Sequence, residues 1–500
     1  MKKLSLKKTL LCLGVVSCLC QSALAGPVLS HISVESAASI NNQKLAGLLK
    51  KYQGREIDAV LLQAVLDEVT RYYRKNGFPS ASAYLPEQRT RTGSISVGVL
   101  TPKIGKVAVI NHARLRNSAV RRLFKDLYSL KNTLADNDSV ESILYRLADL
   151  NVFDIRGSYR DGRAPDELDL DIRLDRTSPA AFEIFTDNYG TKAAGRYRAG
   201  LYTDFRNLTS NADTLSLFAA RSNEKQTNLS LGYEIPVNAY PTVLGGSFCL
   251  GSYELAGDYE ILGAQGTSYT YELFAKQPLL RSRGYRLTAS AGARYRDLKD
   301  EFKEFALEFK KHTTAGYLKL SGAFNEGHFS LGSDVAATFG RLAADDDYGI
   351  TEEGSFSKIN GSLSLRYSLN DSLALFCKNE LQLGSDNLES SEKFQATGPY
   401  ALTAFNSSIA NTDSGYLNSL GLAYKPIDSF NLTLSPHFDM AFVSDKVYGH
   451  GSLYGSGLDI DLKAGGFFAN LKGAAALSSS DSYKYKDDYQ FFVRLGYIYA

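Results

Sequence analysis

The chain has 500 residues, of which 56 are basic and 54 acidic. That near balance excludes a polyanion-binding surface of the nucleic-acid kind and a polybasic membrane anchor. Tyr (31), Phe (26) and Gly (42) are abundant against Pro (12) and no Trp, a composition suited to many strands in a closed antiparallel sheet.

Met1 to Lys8 carries four lysines, Leu10 to Leu19 is apolar, and Ser22-Ala-Leu-Ala25 ends in an A-x-A site. This is the layout of a secretory signal, residues 1–25, cut after Ala25. Val15-Val-Ser-Cys18 loosely resembles a lipobox, which leaves a lipoprotein signal as the weaker alternative. Removing the four lysines leaves 52 basic against 54 acidic residues, a net charge near −2. Cys12, Cys18 and Cys20 leave with the signal. Cys249 and Cys377 remain, far apart and without C-x-x-C spacing, so no disulfide framework is expected. No later apolar run reaches the length of about 18–20 residues that a membrane helix needs.

The next segment, 26–101, mixes strands and helices. Leu29 to Val34 alternates as a strand, and Asn41 to Lys50 is helical with Leu45, Leu48 and Leu49 on one face. Val60, Leu61, Ala64, Val65, Val69, Tyr72 and Tyr73 recur at helical spacing, and Asn76-Gly77 stops that helix. Ala81–Leu85 and Ser94–Leu100 are strands. The same β-α-α-β-β order returns over 102–178. Lys106–Ile110 is a strand, Asn117–Leu127 and Val140–Leu150 are helices, and Phe153–Tyr159 and Glu167–Leu174 are strands. An internal repeat of about 75 residues means two copies of one module.

From 179 to 500 the period becomes two. Tyr285, Leu287, Ala289, Ala291, Ala293 and Tyr295 oppose Arg286, Thr288, Ser290, Gly292 and Arg294. Phe430, Leu432, Leu434, Phe438, Met440 and Phe442 oppose Asn431, Thr433, Ser435, His437 and Asp439. Phe491, Val493, Leu495, Tyr497 and Tyr499 close the chain. Sixteen candidate strands fall between Phe182 and Tyr499, each long enough to cross a bilayer at about 9–11 residues. Apolar faces then meet lipid and polar faces line a lumen. Because backbone groups in hydrocarbon must all pair, the sheet has to close. The fold expected is two α/β modules followed by a 16-stranded transmembrane β-barrel in a bacterial outer membrane. Asn325-Glu-Gly, Asn370-Asp and Pro426-Ile-Asp428 read as periplasmic turns. Segments 341–354, 385–413 and 444–456 read as outer loops, with Gly449-His-Gly451 and Gly455-Ser-Gly457 as loop flexibility.

Tyr72-Tyr73 at a helix end, then Gly77, then a strand leading to Pro86-Glu-Gln88, resembles the first POTRA signature of the TpsB family, the outer-membrane transporters of two-partner secretion. Leu147-Ala-Asp-Leu150-Asn-Val-Phe153 is similar to the second POTRA. Thr186-Asp-Asn-Tyr-Gly190 with Gly195-Arg-Tyr197 resembles the start of the family's barrel, and Gln277-Pro-Leu-Leu-Arg281 its Pro-Leu-x-Arg turn. Glu392-Lys-Phe394 through Gly398-Pro399, and Asp413-Ser-Gly-Tyr-Leu417, resemble the flanks of its sixth extracellular loop. The resemblance implies that loop 385–413 folds into the lumen. It also implies that Leu402, Thr403, Ala404 and Phe405 stand at a tip where the family has Val-Arg-Gly-Tyr/Phe. The family's arginine pairs with an acid on the thirteenth strand, where this chain has Asp439. With Thr403 in the arginine's place, Arg196, Arg198, Arg286, Arg366, Arg494 or water is expected to take Asp439, and the loop to be held more weakly. Only Gly26–Val28 precede the first strand, which leaves no chain for the plug helix some members carry.

The six His form no metal-ligand spacing, and no H-E-x-x-H, G-x-S-x-G or Walker motif is present. No metal, cofactor or catalytic residue is expected, and Asp345-Asp-Asp347 reads as a solvated loop. The resemblance implies export of an unfolded, TpsA-like β-helical exoprotein, recognised by the periplasmic modules, by a monomer in outer-membrane lipid. An outer-membrane assembly insertase and a passive pore are the alternatives.

Overall fold

Leu61, Val65, Val69 and Tyr73, four residues apart, are buried along one face of a single helix. The computed structural model describes residues 27–38, 40–88, 92–345, 353–386, 388–426, 431–483 and 487–499. The expected signal and its cleavage site lie outside them, as do most of the Pro426-Ile-Asp428 turn and of the Asp345–Asp347 run. Two compact units divide the chain, one ending at Pro102 with Leu134–Asp136 added, the other holding the remainder.

In the first unit β1 (His31–Ser36) runs parallel to β3 (Ser94–Leu100), and β2 (Ser82–Tyr84) lies antiparallel on its other side. Helices α1 (Asn42–Leu49) and α2 (Ala59–Lys75) cover the sheet. Asp58 caps α2 by accepting from the Leu61 N–H at 2.6 Å. Gly77, at φ +95°, ends it as foreseen. Ile95 and Val97 meet Leu45, Leu49 and the α2 face in the core. Val60, expected on that face, is instead exposed, since it lies one residue before the buried i, i+4 series.

The second unit opens with a module of similar order, except that the helix expected over Asn117–Leu127 is broken at Phe124 into two. Strand β4 (Lys103–Asn111) is parallel to β6 (Glu167–Arg176), and β5 (Phe153–Asp161) is antiparallel to it. Helices α3 (Asn117–Leu123), α4 (Lys125–Ser129) and α5 (Asn137–Ala148) bury Leu123, Leu127 and Leu147 with Leu170, Ile172 and Leu174.

The period-two region forms a closed antiparallel barrel of sixteen strands. Its first half is β7 (Ala180–Asp187), β8 (Arg198–Arg206), β9 (Thr214–Ser222), β10 (Thr227–Pro236), β11 (Val243–Glu254), β12 (Ala264–Arg281), β13 (Tyr285–Phe302) and β14 (Leu307–Glu326). Next come β15 (Phe329–Ala344), β16 (Gly354–Ser368) and β17 (Leu373–Gly384). A small separate hairpin follows, β18 (Phe394–Gln395) with β19 (Asn411–Thr412). The wall resumes with β20 (Ser414–Tyr424), β21 (Leu432–Asp445), β22 (Gly449–Ala464), β23 (Phe467–Ser479) and β24 (Tyr489–Tyr499). Closure is made by β24 on β7, from Arg494 opposite Asp187 to Tyr499 opposite Phe182. Beyond that register the Asn188 amide accepts from the Val493 N–H at 2.7 Å and donates to the Phe491 carbonyl at 2.9 Å. A side chain thus satisfies backbone groups that the short β7 leaves over.

Strand parity holds. Leu318, Leu320, Phe339, Leu420 and Phe438 are exposed on the outside, while Thr313, Gln382 and Asp439 are buried on the lumen side. Strand length departs from expectation. β7 has 8 residues, but β12 and β13 have 18 and β14 has 20. The long hairpins stay paired past the bilayer, laced by ion pairs such as Lys299–Glu308 at 3.1 Å and Lys311–Asp300 at 3.5 Å. For the same reason 444–456 is not a long outer loop: most of it is the facing ends of β21 and β22.

Leu320 sits mid-strand on the outer face of β14. Leu320→Arg is expected to cost about 2–4 kcal/mol, the range for a cation at the bilayer midplane. The check is a urea titration of folding in lipid vesicles.

Candidate functional site: a loop held inside the barrel

The residues between β17 and β20 turn back into the lumen. Their first arm, Glu389 to Lys393, is fixed by ion pairs. The Glu392 carboxylate is 1% exposed and lies 2.9 Å from Arg294 Nη2, 3.1 Å from Arg296 Nη1 and 2.9 Å from Lys358 Nζ. Its backbone carbonyl accepts from Lys358 at 2.8 Å and from the Gln382 amide at 3.0 Å. A carboxylate this far from water is costly unless paired and hydrogen-bonded, and β13 and β16 supply the pairing. Parity placed Arg294 on the lumen side of β13. Nothing in the sequence marked Glu392 as its partner, since 98 residues separate them.

Two neighbours repeat the device. Glu389 lies 3.1 Å from Lys311 of β14. Burial alone would raise its pKa, but Lys311 and the Ser390 and Ser391 hydroxyls hold it below the ordinary value. Lys393 donates to Asp445 at 2.6 Å and stands 3.5 Å from Asp413. Burial would lower its pKa, and these two acids raise it instead.

The tip is held by apolar packing. Leu402 and Ala404 are fully buried, Phe405 is 1% and Thr403 3% exposed. They pack with Leu417, Ala441, Val443, Leu453 and Ala474, from the lumen faces of β20 to β23. A Cβ at Gly455 would stand 2.5 Å from that of Ala404, and one at Gly457 2.7 Å from the His437 ring. These glycines, read from sequence as loop flexibility, are wall positions kept bare so that the tip and the imidazole fit. Tyr400 adds one polar tie: its hydroxyl accepts from Arg494 at 3.0 Å, and its ring meets Tyr189 edge-on at 5.3 Å.

Asp439, on the thirteenth barrel strand, is 2% exposed. None of the five arginines takes it. His437 of the same strand does, with Nδ1 2.9 Å from the carboxylate, while Nε2 faces Asp459 at 3.4 Å. Two residues apart on one strand, the pair shares a face, which makes the contact nearly automatic. Arg198 is committed to Asp187 at 2.8 Å and Arg494 to Glu183 at 2.5 Å. Arg196 precedes β8 altogether, in a turn closed by the Gly190 N–H donating to its carbonyl at 3.1 Å. Among the described residues Thr403 donates only to the Ala401 carbonyl, at 3.4 Å.

The Pro-Leu-x-Arg turn fastens the second module to the barrel. Arg281 makes a two-pronged contact with Asp149 at 2.7 and 2.9 Å and lies over the Tyr145 ring at 5.1 Å. The Ser142 hydroxyl donates to the Arg281 carbonyl at 2.8 Å, and Arg146 covers the Tyr240 ring at 4.0 Å. A third turn, after that of Tyr240, joins through the Arg116 N–H, which donates to the Ser210 carbonyl at 2.8 Å. In the first module the signature residues shape the sheet. The Gln88 amide exchanges two 2.7 Å hydrogen bonds with the Ser96 backbone, and its nitrogen also reaches the Pro86 carbonyl at 3.3 Å. Tyr73 is core, and the Tyr72 hydroxyl donates to the Asn41 carbonyl at 2.9 Å.

The profile of the family described as haemolysin secretion/activation protein ShlB/FhaC/HecB matches residues 166–462, more than half of the chain. The chain belongs to that family. A profile of the ShlB-type POTRA domain matches 28–101. The heme/hemopexin transporter protein HuxB of Haemophilus influenzae (strain 86-028NP) is 26% identical over 466 residues, 89% of this chain and 80% of that protein. CdiB from Escherichia coli shares the fold, with a TM-score of 0.75 at 16% identity over 97% of this chain and 93% of that one. BamA from Haemophilus ducreyi, lacking its first three POTRA domains, gives 0.56 at 14% identity over 94% of this chain and 100% of that one. The protein is thus a TpsB-type outer-membrane transporter of two-partner secretion, with its POTRA domains in the periplasm.

Two outcomes follow from the arm. Glu392→Gln leaves three cations without their carboxylate, a loss in the range of about 3–5 kcal/mol for one partner of a buried pair. Single-channel recordings in planar bilayers should show a larger and more frequent open state. The Glu389 contribution is present in full above its ordinary pKa of 4.5 and is lost only as pH falls through its lower folded value. Conductance should therefore stay low at neutral and mildly acidic pH and rise only in stronger acid.

Proposed function

We propose that this transporter exports one large secreted partner, TpsA-like and β-helical once folded, which passes the lumen as an extended chain. Residues 1–25 act as the signal, 26–101 and 102–178 as the two POTRA modules, and 179–500 as the barrel. It works as a monomer in outer-membrane lipid and carries out no bond chemistry. By the name of its relative HuxB, a heme- or hemopexin-binding partner is the first cargo to test.

The gate is the loop 385–413, with Leu402, Thr403, Ala404 and Phe405 as its mobile tip. The observation that supports this most is the arm itself, an acidic segment ion-paired to lumen cations. Ion pairs can exchange partners without opening the barrel wall, and a passive pore needs no such device. Asp439 serves the wall rather than the tip, since His437 already satisfies it. Tyr72, Tyr73, Gly77, Pro86 and Gln88 present the first module's sheet to the incoming chain, whose backbone adds along a strand edge.

Deleting the gene should remove one large protein from the culture fluid. A general loss of outer-membrane barrels would favour an insertase, and no change a passive pore. Arg281→Ala should lower secretion several-fold while the barrel keeps its heat-modifiable migration on gels, because the contact to Asp149 aligns the second module with the lumen.

A further inference from the structure

The lumen is electrically two-sided. On the faces of β13 to β16 that line it, cations outnumber acids. Arg294, Arg296 and Lys358 surround Glu392, and Lys311 meets Glu389. A separate stretch of wall, β21 to β23, carries Asp439, Asp459 and Asp461, with His437 and Lys472 as counter-charges.

The cationic side continues beyond the loop arm. Arg286 is the second residue of β13, and Arg366 is two residues from the end of β16. Both positions lie at the barrel end that carries the second module, where a chain from the periplasm arrives. Neither arginine has an ion-pair or hydrogen-bond partner among the described residues. The intervening space is open. A cavity of 570 Å³ at that mouth is lined by four cations, Arg146, Lys276, Arg286 and Lys319, against two acids, Asp149 and Glu234. A second, of 450 Å³, is lined by Lys319, Lys358 and Lys393 against Asp334 and Glu380, with Lys319 paired to Asp334 at 3.0 Å. Lys319 belongs to both, so they follow one another from the mouth to the arm.

We propose that this cationic face is a track for acidic side chains of the transported polypeptide, and that Glu392 and Glu389 occupy its far end until such side chains displace them. The proposal rests on the reading of the barrel as a polypeptide conduit. Releasing Glu392 into an empty lumen strands three cations. Exchanging it for an incoming carboxylate keeps every charge-assisted contact. The loop therefore stays seated until a chain of the right charge fills the track. Arg286 and Arg366, unpaired, are where that chain first binds. An acidic extended segment fits this track, and a basic one is repelled by it.

The test uses the purified full-length protein in planar bilayers, with an oligoglutamate peptide added on the side of the N-terminal modules. Open probability should rise on the order of ten-fold, the effect of about 1.4 kcal/mol, and oligolysine should not raise it. Arg286→Glu with Arg366→Glu should abolish the oligoglutamate response; if that pair does not fold, Arg286→Gln with Arg366→Gln replaces it. Equal responses to both peptides, or an oligoglutamate response that survives the substitutions, would overturn the proposal. A response to oligoglutamate without any secreted protein lost on gene deletion would instead count against the export reading.

Discussion

One buried carboxylate organises this lumen. Glu392, 98 and 96 residues from its partners Arg294 and Arg296 in the chain, is held by both and by Lys358. A barrel that spans hydrocarbon has to satisfy every backbone group within its own wall, so the wall cannot part to regulate passage. In the function proposed, control then falls to what stands inside. Here that is a loop whose arm is ionic and whose tip is apolar. The ionic part resists spontaneous release, because separating one member of a buried pair leaves the rest uncompensated. The apolar part, Leu402, Ala404 and Phe405, packs on the lumen wall beside Gly455.

The modules and the barrel follow the same logic. The second module is gripped by three periplasmic turns, through Ser210, Tyr240 and Arg281. A two-pronged arginine–carboxylate contact fixes orientation as well as distance. In the first module, Gln88 imitates a strand partner for Ser96, which carries the sheet's hydrogen bonding past the short β2. Asn188 does the same at the β24–β7 seam. In each place an amide side chain supplies what the backbone lacks.

Much of this was legible from residue order. Two periods, 3.6 in Leu61–Tyr73 and 2 in Tyr285–Tyr295, separate the modules from the barrel, and parity assigned Arg294 and Asp439 to the lumen. Strand length was not legible, because the charged residues that pair the long hairpins β12 to β14 beyond the bilayer do not continue the apolar–polar alternation. The glycines of β22 misled for a related reason: glycine marks a turn in sequence, whereas Gly455 and Gly457 are bare because Ala404 and His437 press on them. An arginine is the expected partner of Asp439 because the family supplies one from the loop. The residue that takes it, His437, was in view two positions away. Glu392 could not be found by pattern, because its value lies in contacts across nearly 100 residues of chain.

The central claim is that the segment between β17 and β20 lies within the barrel at rest. With Cys249 and Cys377 changed to Ser, single cysteines at Ala404 and Tyr448 would be exposed to a bulky, membrane-impermeant maleimide on intact cells. The account predicts that the cysteine at 448, on an exposed turn, reacts quickly and the one at 404 does not. Equal labelling of the two would place the loop outside and contradict it.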